Sequence, residues 1–242
     1  MIPRSKFQLN AWKWSLPKRL LWAIFLSRGN DKKLSEIVQH VLQSNQVQGH
    51  DLAGATKARD RFDVLSIAAK ETQNLQGHAL EFGVFQGVTL KHIASAISPK
   101  RQVIGFDTFE GLPDDWGNLL EKGTFATKVP SLNDYPNATL QIGRIENTLP
   151  AFLKRAKSSI SLLHIDCPYY EINMFILEHV LSFMPSQSII VFDEFYGYPS
   201  FEMHEYRAWQ ETCDRFKLKI KPITYSSRSA AFKLESNPCF GS

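Results

Sequence analysis

From residue 78 onward, short apolar runs alternate with stretches of helical period, and this alternation constrains the fold more than any other feature of the chain. HALEFGVF, QVIGFDTF, ATLQIG, ISLLHID and SIIVFDEF read as strands, and KIKPITYSS with SAAFKL reads as a closing antiparallel pair. Between them, apolar residues at helical spacing predict helices over 88–97, closed by Pro99, and over 150–157, 169–184 and 203–216. Strands that alternate with helices of this length build a sheet covered on both faces. The fold class expected is α/β: a doubly wound, seven-stranded, mostly parallel sheet with an antiparallel last strand. Two further helical patterns, Lys33 to Leu42 and Ala58 to Leu75, precede it as accessory helices. The organisation expected is therefore an N-terminal basic and aromatic arm with accessory helices over 1–57, and a main domain over 58–242.

Charge is unevenly placed. Residues 1–33 hold eight Lys and Arg against Asp31 alone, whereas the rest of the chain has 20 basic and 23 acidic residues, so the overall +4 is local and argues against a nucleic-acid partner. Three cysteines without a CxxC spacing support neither a disulfide framework nor a zinc cluster and suit a reducing cytoplasm. The longest apolar run, Leu20 to Leu26, is far shorter than the roughly 20 residues of a membrane span, and no cleavage pattern follows it.

In parallel sheets ligands bind at the carboxyl ends of strands, and there the sequence gathers its chemistry. Gly83 and Gly87 open the turn after the first strand, letting backbone approach a cofactor, and Asp107 ends the second strand, where a carboxylate accepts ribose hydroxyls. Phe85 stands where a dinucleotide loop would have glycine, and Glu81 puts a negative charge where a pyrophosphate would sit. A cofactor with a positive charge suits that loop, such as the ammonium and sulfonium of S-adenosylmethionine. Asp166, Asp193 and Glu194 end the later strands; three negative charges beside a cleft call for a cation, and an all-oxygen set suits Mg²⁺ or a similar divalent metal.

EFGVFQG, FDTFEGLPDDW, KGTF, TLPAFL, LLHIDC and IIVFDEFYGYP, in this order between about residues 60 and 216, resemble the class I S-adenosylmethionine-dependent methyltransferases of the macrocin O-methyltransferase type. That resemblance implies a Rossmann-like methyltransferase fold and transfer of methyl to a hydroxyl of a small molecule, a sugar or glycosylated metabolite. It implies that Glu81, Gly83, Phe85 and Gly87 line the methionine end, that Thr89 also binds the cofactor, that Asp107 holds the ribose, that Thr108 and Phe109 flank the adenosine, and that the Gly143-Arg144 turn borders the adenine. It also implies that Asp166 faces the cofactor and acts in catalysis, and that Asp166, Asp193 and Glu194 hold Mg²⁺ against the accepting oxygen. The chain departs from the family pattern at Pro168, where relatives carry an acidic residue. That loss keeps two rival readings open: a non-catalytic binding protein, or a metal-independent enzyme with a His or Tyr base.

For such a base the sequence offers His204, at the start of a helix after the Gly-Tyr-Pro loop, and Tyr169, Tyr170, Tyr196 and Tyr198 around the last two strand ends. His164 shares a strand side with Asp166 and suits the core. Cys167, beside a carboxylate, is no nucleophile. Trp12, Trp14, Trp22 and Phe25 interleaved with Lys13, Lys18, Arg19 and Arg28 suit a lid or homo-oligomer contact, or peripheral contact with an anionic membrane.

Overall fold

The inner strands of the central sheet owe their place to a period-two pattern that serves two apolar layers at once. The computed structural model describes residues 43, 46–49, 51–115, 120–156, 158–198 and 200–241; the aromatic arm and the helical pattern of Lys33 to Leu42 lie outside them. In chain order the elements are β1 (Thr56–Lys57), α1 (Arg61–Glu71), β2 (His78–Phe82), α2 (Val88–Ala96), β3 (Val103–Asp107), β4 (Ala138–Ile142), α3 (Ile145–Leu153), β5 (Ile160–Ile165), α4 (Tyr170–Val180), β6 (Ile189–Phe192), α5 (Glu205–Phe216), β7 (Lys219–Tyr225) and β8 (Ala230–Ser236). The sheet has eight strands in the order β1-β7-β8-β6-β5-β2-β3-β4. β8 alone runs antiparallel to its neighbours β6 and β7. The eighth strand, β1, is a two-residue edge paired with Thr224 and Tyr225, too short to leave a pattern in the sequence.

Leu80, Phe82, Leu163, Ile165, Ile190 and Phe192 face one core, shared with α3, α4 and α5, where Trp209 is buried against Phe192 and Phe232. Ala79, Leu162, Ile189 and Val191 face the other, shared with α1 and α2. Glu81 and His164 fall on this second face by the same alternation, side by side in the β2–β5 register. Several expected helix boundaries shift, and the pattern from Ala58 to Leu75 narrows to α1. The stretch expected to start at Pro150 begins at Ile145, with the proline inside the helix. The stretch expected over 169–184 ends as α4 at Val180 and continues as a 3₁₀ turn, Leu181–Phe183.

At the amino end of the sheet, Arg101 is a buried cation held by neutral acceptors. Its guanidinium donates to the carbonyls of Gly77 (3.1 Å) and Thr72 (2.9 Å), to the Thr72 hydroxyl (3.1 Å) and to the Ser161 hydroxyl (2.6 Å), tying α1, β2 and β5 together.

Candidate active site

At the carboxyl ends of β2, β3, β5 and β6 the structure opens a cleft of ≈ 1770 Å³, walled by the glycine loop, by Asp107, Thr108 and Glu110, by Asp166 to Tyr169, by Asp193 and Glu194, and by Arg61. A single drug-sized ligand needs roughly 300–1,000 Å³, so this cleft has room for two. Gly83 shapes its floor. The backbone there has φ +88°, and a Cβ at this position would lie 2.1 Å from the Asp166 carbonyl oxygen, so only glycine lets β2 and β5 end this close together. Gly87, at φ 74°, turns the chain into α2.

Asp107 holds the loop in shape. Its Oδ2 accepts the N–H groups of Val84 (2.8 Å) and Phe85 (2.7 Å), and Oδ1 accepts that of Phe109 (2.8 Å). The sequence pointed to this carboxylate for ribose; the structure adds that it is the clasp of the glycine loop, and leaves further acceptor capacity on Oδ1. Thr89 and Thr108 are on the cleft wall, whereas Phe109 is buried in the core of the α1–α2 face and Gly143 is represented on the wall by its neighbours Arg144 and Ile145. Glu81 is fully buried beneath the loop, accepting from the Thr89 hydroxyl through Oε1, while its Oε2 has no hydrogen-bond partner.

Behind the cleft lies a row of charges on one face of the sheet. The His164 ring has Nδ1 3.3 Å from Glu81 Oε1 and Nε2 3.8 Å from Asp193 Oδ1. Burial opposes a charge on this ring, but contact with Asp193 and Glu81 outweighs it and raises its pKa to about 10. Asp193 is correspondingly depressed to about 2, since His164 and Arg61 overcome its burial. Arg61 Nη1 sits 2.9 Å from Asp193 Oδ2 and 3.8 Å from Asp166 Oδ2. Glu194 turns to Arg228, whose Nη1 is 3.0 Å from its Oε1, and the Glu194 N–H donates to the buried Glu205 (2.9 Å). Asp166 is raised well above the usual carboxylate range, by burial and then by Asp193 and Glu194.

This arrangement does not fit the divalent metal expected from the sequence. Asp166, Asp193 and Glu194 need compensating charge, but Arg61, Arg228 and His164 supply it, and Pro168 offers no side-chain oxygen. Among the described residues no group of three or more His, Cys, Asp or Glu is placed to hold a metal ion. Sequence reasoning missed both arginines. Arg61 is 132 positions from Asp193 and carries no motif; the only signal was the demand of the carboxylates for a cation.

The alternative bases are also displaced. His204 stacks on Tyr198 with ring centroids 6.2 Å apart and is not on the cleft wall. Tyr196 and Tyr198 are buried, the former donating to the Ser226 carbonyl. Tyr170 turns to Glu211 on the outer surface, and Tyr169 alone of the four lines the cleft, donating to the Asp114 carbonyl (2.6 Å). The Cys167 thiol is buried and pushed well up by burial and by Asp166, so it is no nucleophile. No helix of the described residues is long and apolar enough to cross a membrane.

Comparison with known proteins agrees with this fold. CalS11, a calicheamicin methyltransferase, superposes with a TM-score of 0.57 at 23% identity, over 91% of this chain and 93% of that one; its apo form is described as a TDP-rhamnose 3'-O-methyltransferase. The O-methyltransferase NovP gives 0.56 at 16% identity, over 74% and 81%. An O-methyltransferase from Bacillus cereus in complex with SAH gives 0.52 at 11% identity, over 91% and 99%. A search of curated proteins found no match. Residues 80–195 match the family model described as a methyltransferase domain, and the chain shares the fold of these solved methyltransferases.

Proposed function

We propose that the protein transfers the methyl group of S-adenosylmethionine to a hydroxyl of a small molecule, a sugar or glycosylated metabolite. The observation that carries this reading is one cleft with two differently equipped sides: the glycine loop over the unpartnered, buried Glu81 Oε2, and the partly exposed Asp166 carboxylate across it. An unmet buried acceptor suits the positive charge of S-adenosylmethionine, which supplies an activated methyl group. The sugar acceptor of CalS11 and the SAH complex of the Bacillus cereus enzyme support the same reading.

In this scheme Gly83, Val84, Phe85 and Thr89 receive the methionine end and Asp107 the ribose, while the acceptor lies against Asp166. The acceptor oxygen forms a bond to the methyl carbon as the carbon–sulfur bond breaks, and its proton passes to Asp166. A carboxylate whose proton affinity is raised is a better base than an ordinary one. Placement of the reactants supplies most of the remaining acceleration.

Calorimetric titration with S-adenosylmethionine tests the first half of the proposal. Transfer of radiolabelled methyl to a panel of nucleotide sugars and glycosides, TDP-rhamnose among them, tests the second. Binding together with label on a sugar hydroxyl is expected. Absence of S-adenosylmethionine binding refutes the cofactor, and label confined to amines or thiols refutes the acceptor class.

A further inference from the structure

The carboxylates at the ends of β5 and β6 sit where a metal would be useful, and a side chain from outside the matched domain has taken that place. Arg61 stands in the first turn of α1, a helix start fixed by Asp60, whose Oδ1 accepts the N–H groups of Phe62 (2.9 Å) and Asp63 (3.0 Å). From there its guanidinium reaches Asp193 Oδ2 at 2.9 Å and approaches Asp166 Oδ2 at 3.8 Å, both through Nη1. Its side chain is 41% exposed and belongs to the same cleft wall as both carboxylates. Glu194, the third expected ligand, is already paired with Arg228. Asp193 also faces His164 and accepts from the Ser229 hydroxyl at 3.4 Å through Oδ1. A divalent ion entering here would have to displace Arg61 and find its oxygen donors already engaged.

Resting on the methyl-transfer reading above, we propose that Arg61 replaces the divalent metal: it neutralises Asp166 and Asp193 and donates to the acceptor oxygen, so that transfer proceeds without metal. The chemistry suits the role. A guanidinium keeps its charge at any working pH and has five N–H donors in a fixed fork, so engaging Asp193 through Nη1 leaves donors for an oxygen in the cleft. Unlike a metal, it does not activate the hydroxyl as an alkoxide, so the proton has to leave to a carboxylate, and Asp166 is the one beside it.

The experiment uses Mn²⁺ as the probe, followed by electron paramagnetic resonance and by melting temperature, on the full chain and on Arg61→Gln and Arg61→Ala. Wild type is expected to leave Mn²⁺ free in solution and to melt at the same temperature in EDTA and in millimolar Mn²⁺. Removing the guanidinium should unmask the carboxylates, so at least one variant binds Mn²⁺ and gains melting temperature with it, and adding Asp193→Asn abolishes that gain. On the sugar acceptor identified by the panel, wild-type turnover should be unchanged by EDTA. It should fall on the order of 100-fold in Arg61→Gln, with S-adenosylmethionine affinity retained. Stoichiometric Mn²⁺ binding by wild type, loss of activity in EDTA, or full activity of Arg61→Gln overturns the proposal. Failure to bind S-adenosylmethionine sinks the methyl-transfer reading instead, and the Mn²⁺ measurements still decide the charge replacement.

Discussion

Replacing Asp107 by Asn is the most informative single change to the cofactor side, because it keeps size and polarity while altering only the acceptor count. Both carboxylate oxygens accept backbone N–H groups, Oδ2 from Val84 and Phe85 and Oδ1 from Phe109. An amide can face only one of these sides with oxygen. The better orientation keeps the two loop bonds and sets its NH₂ against the N–H of Phe109, a residue only 7% exposed, so water cannot take the bond over. One buried, unsatisfied N–H costs about 1–3 kcal/mol, and urea denaturation should show a loss of about 2 kcal/mol. If that loss falls on the order of the loop, the S-adenosylmethionine Kd should rise by about 30-fold, measured by calorimetry. Asp107→Ala, which abandons all three donors, should be worse in both assays. An Asn variant equal to wild type in stability and affinity would show that the clasp does not hold the loop.

Three further outcomes follow from the structure. Gly83→Ala combines a left-handed backbone with a Cβ 2.1 Å from the Asp166 carbonyl; strain and a disturbed Asp166 N–H to Phe82 bond together cost about 2–4 kcal/mol, and unchanged urea midpoints would contradict this. Arg101→Met removes four hydrogen bonds and leaves the Thr72 and Ser161 hydroxyls as donors only, for about 3 kcal/mol in the same assay. His164 has its pKa raised to about 10 from 6.5, so its contribution to stability is complete below pH 6.5 and is lost as pH rises through 10. Asp193, depressed to about 2, contributes above 3.8 and loses that contribution as pH falls through 2. His164→Asn should therefore flatten the alkaline limb of a melting-temperature profile, and a wild-type profile flat between pH 6.5 and 10 would count against the charged ring.

Much of this architecture was legible in the chain because strand and helix periods are local. The strand cores around Leu80, Ile104, Leu163 and Ile190 declared themselves by composition, and the glycine loop with Asp107 followed from where those strands ended. Pro150 misled the reading of α3, since proline favours the first helical turn and here stands in the sixth position. β1 has two residues and exists only because Thr224 and Tyr225 offer an edge. At the site, the sequence correctly posed an electrostatic problem at Asp166, Asp193 and Glu194. The solution depended on which cations come near them in space, and the separation between Arg61 and Asp193 along the chain hides it from any local pattern.

Both arginines that neutralise the strand-end carboxylates lie outside the matched segment of residues 80–195, Arg61 before it and Arg228 after it. On the methyl-transfer reading proposed above, the interior carries the donor side, while the flanks set the charge that an acceptor meets. That reading predicts that grafting α1 and the Ser226–Ser229 loop between related chains changes acceptor preference, with S-adenosylmethionine affinity retained. A fragment trimmed to the matched residues would lose both arginines, leaving Asp166 and Glu194 without them and Asp193 with His164 alone.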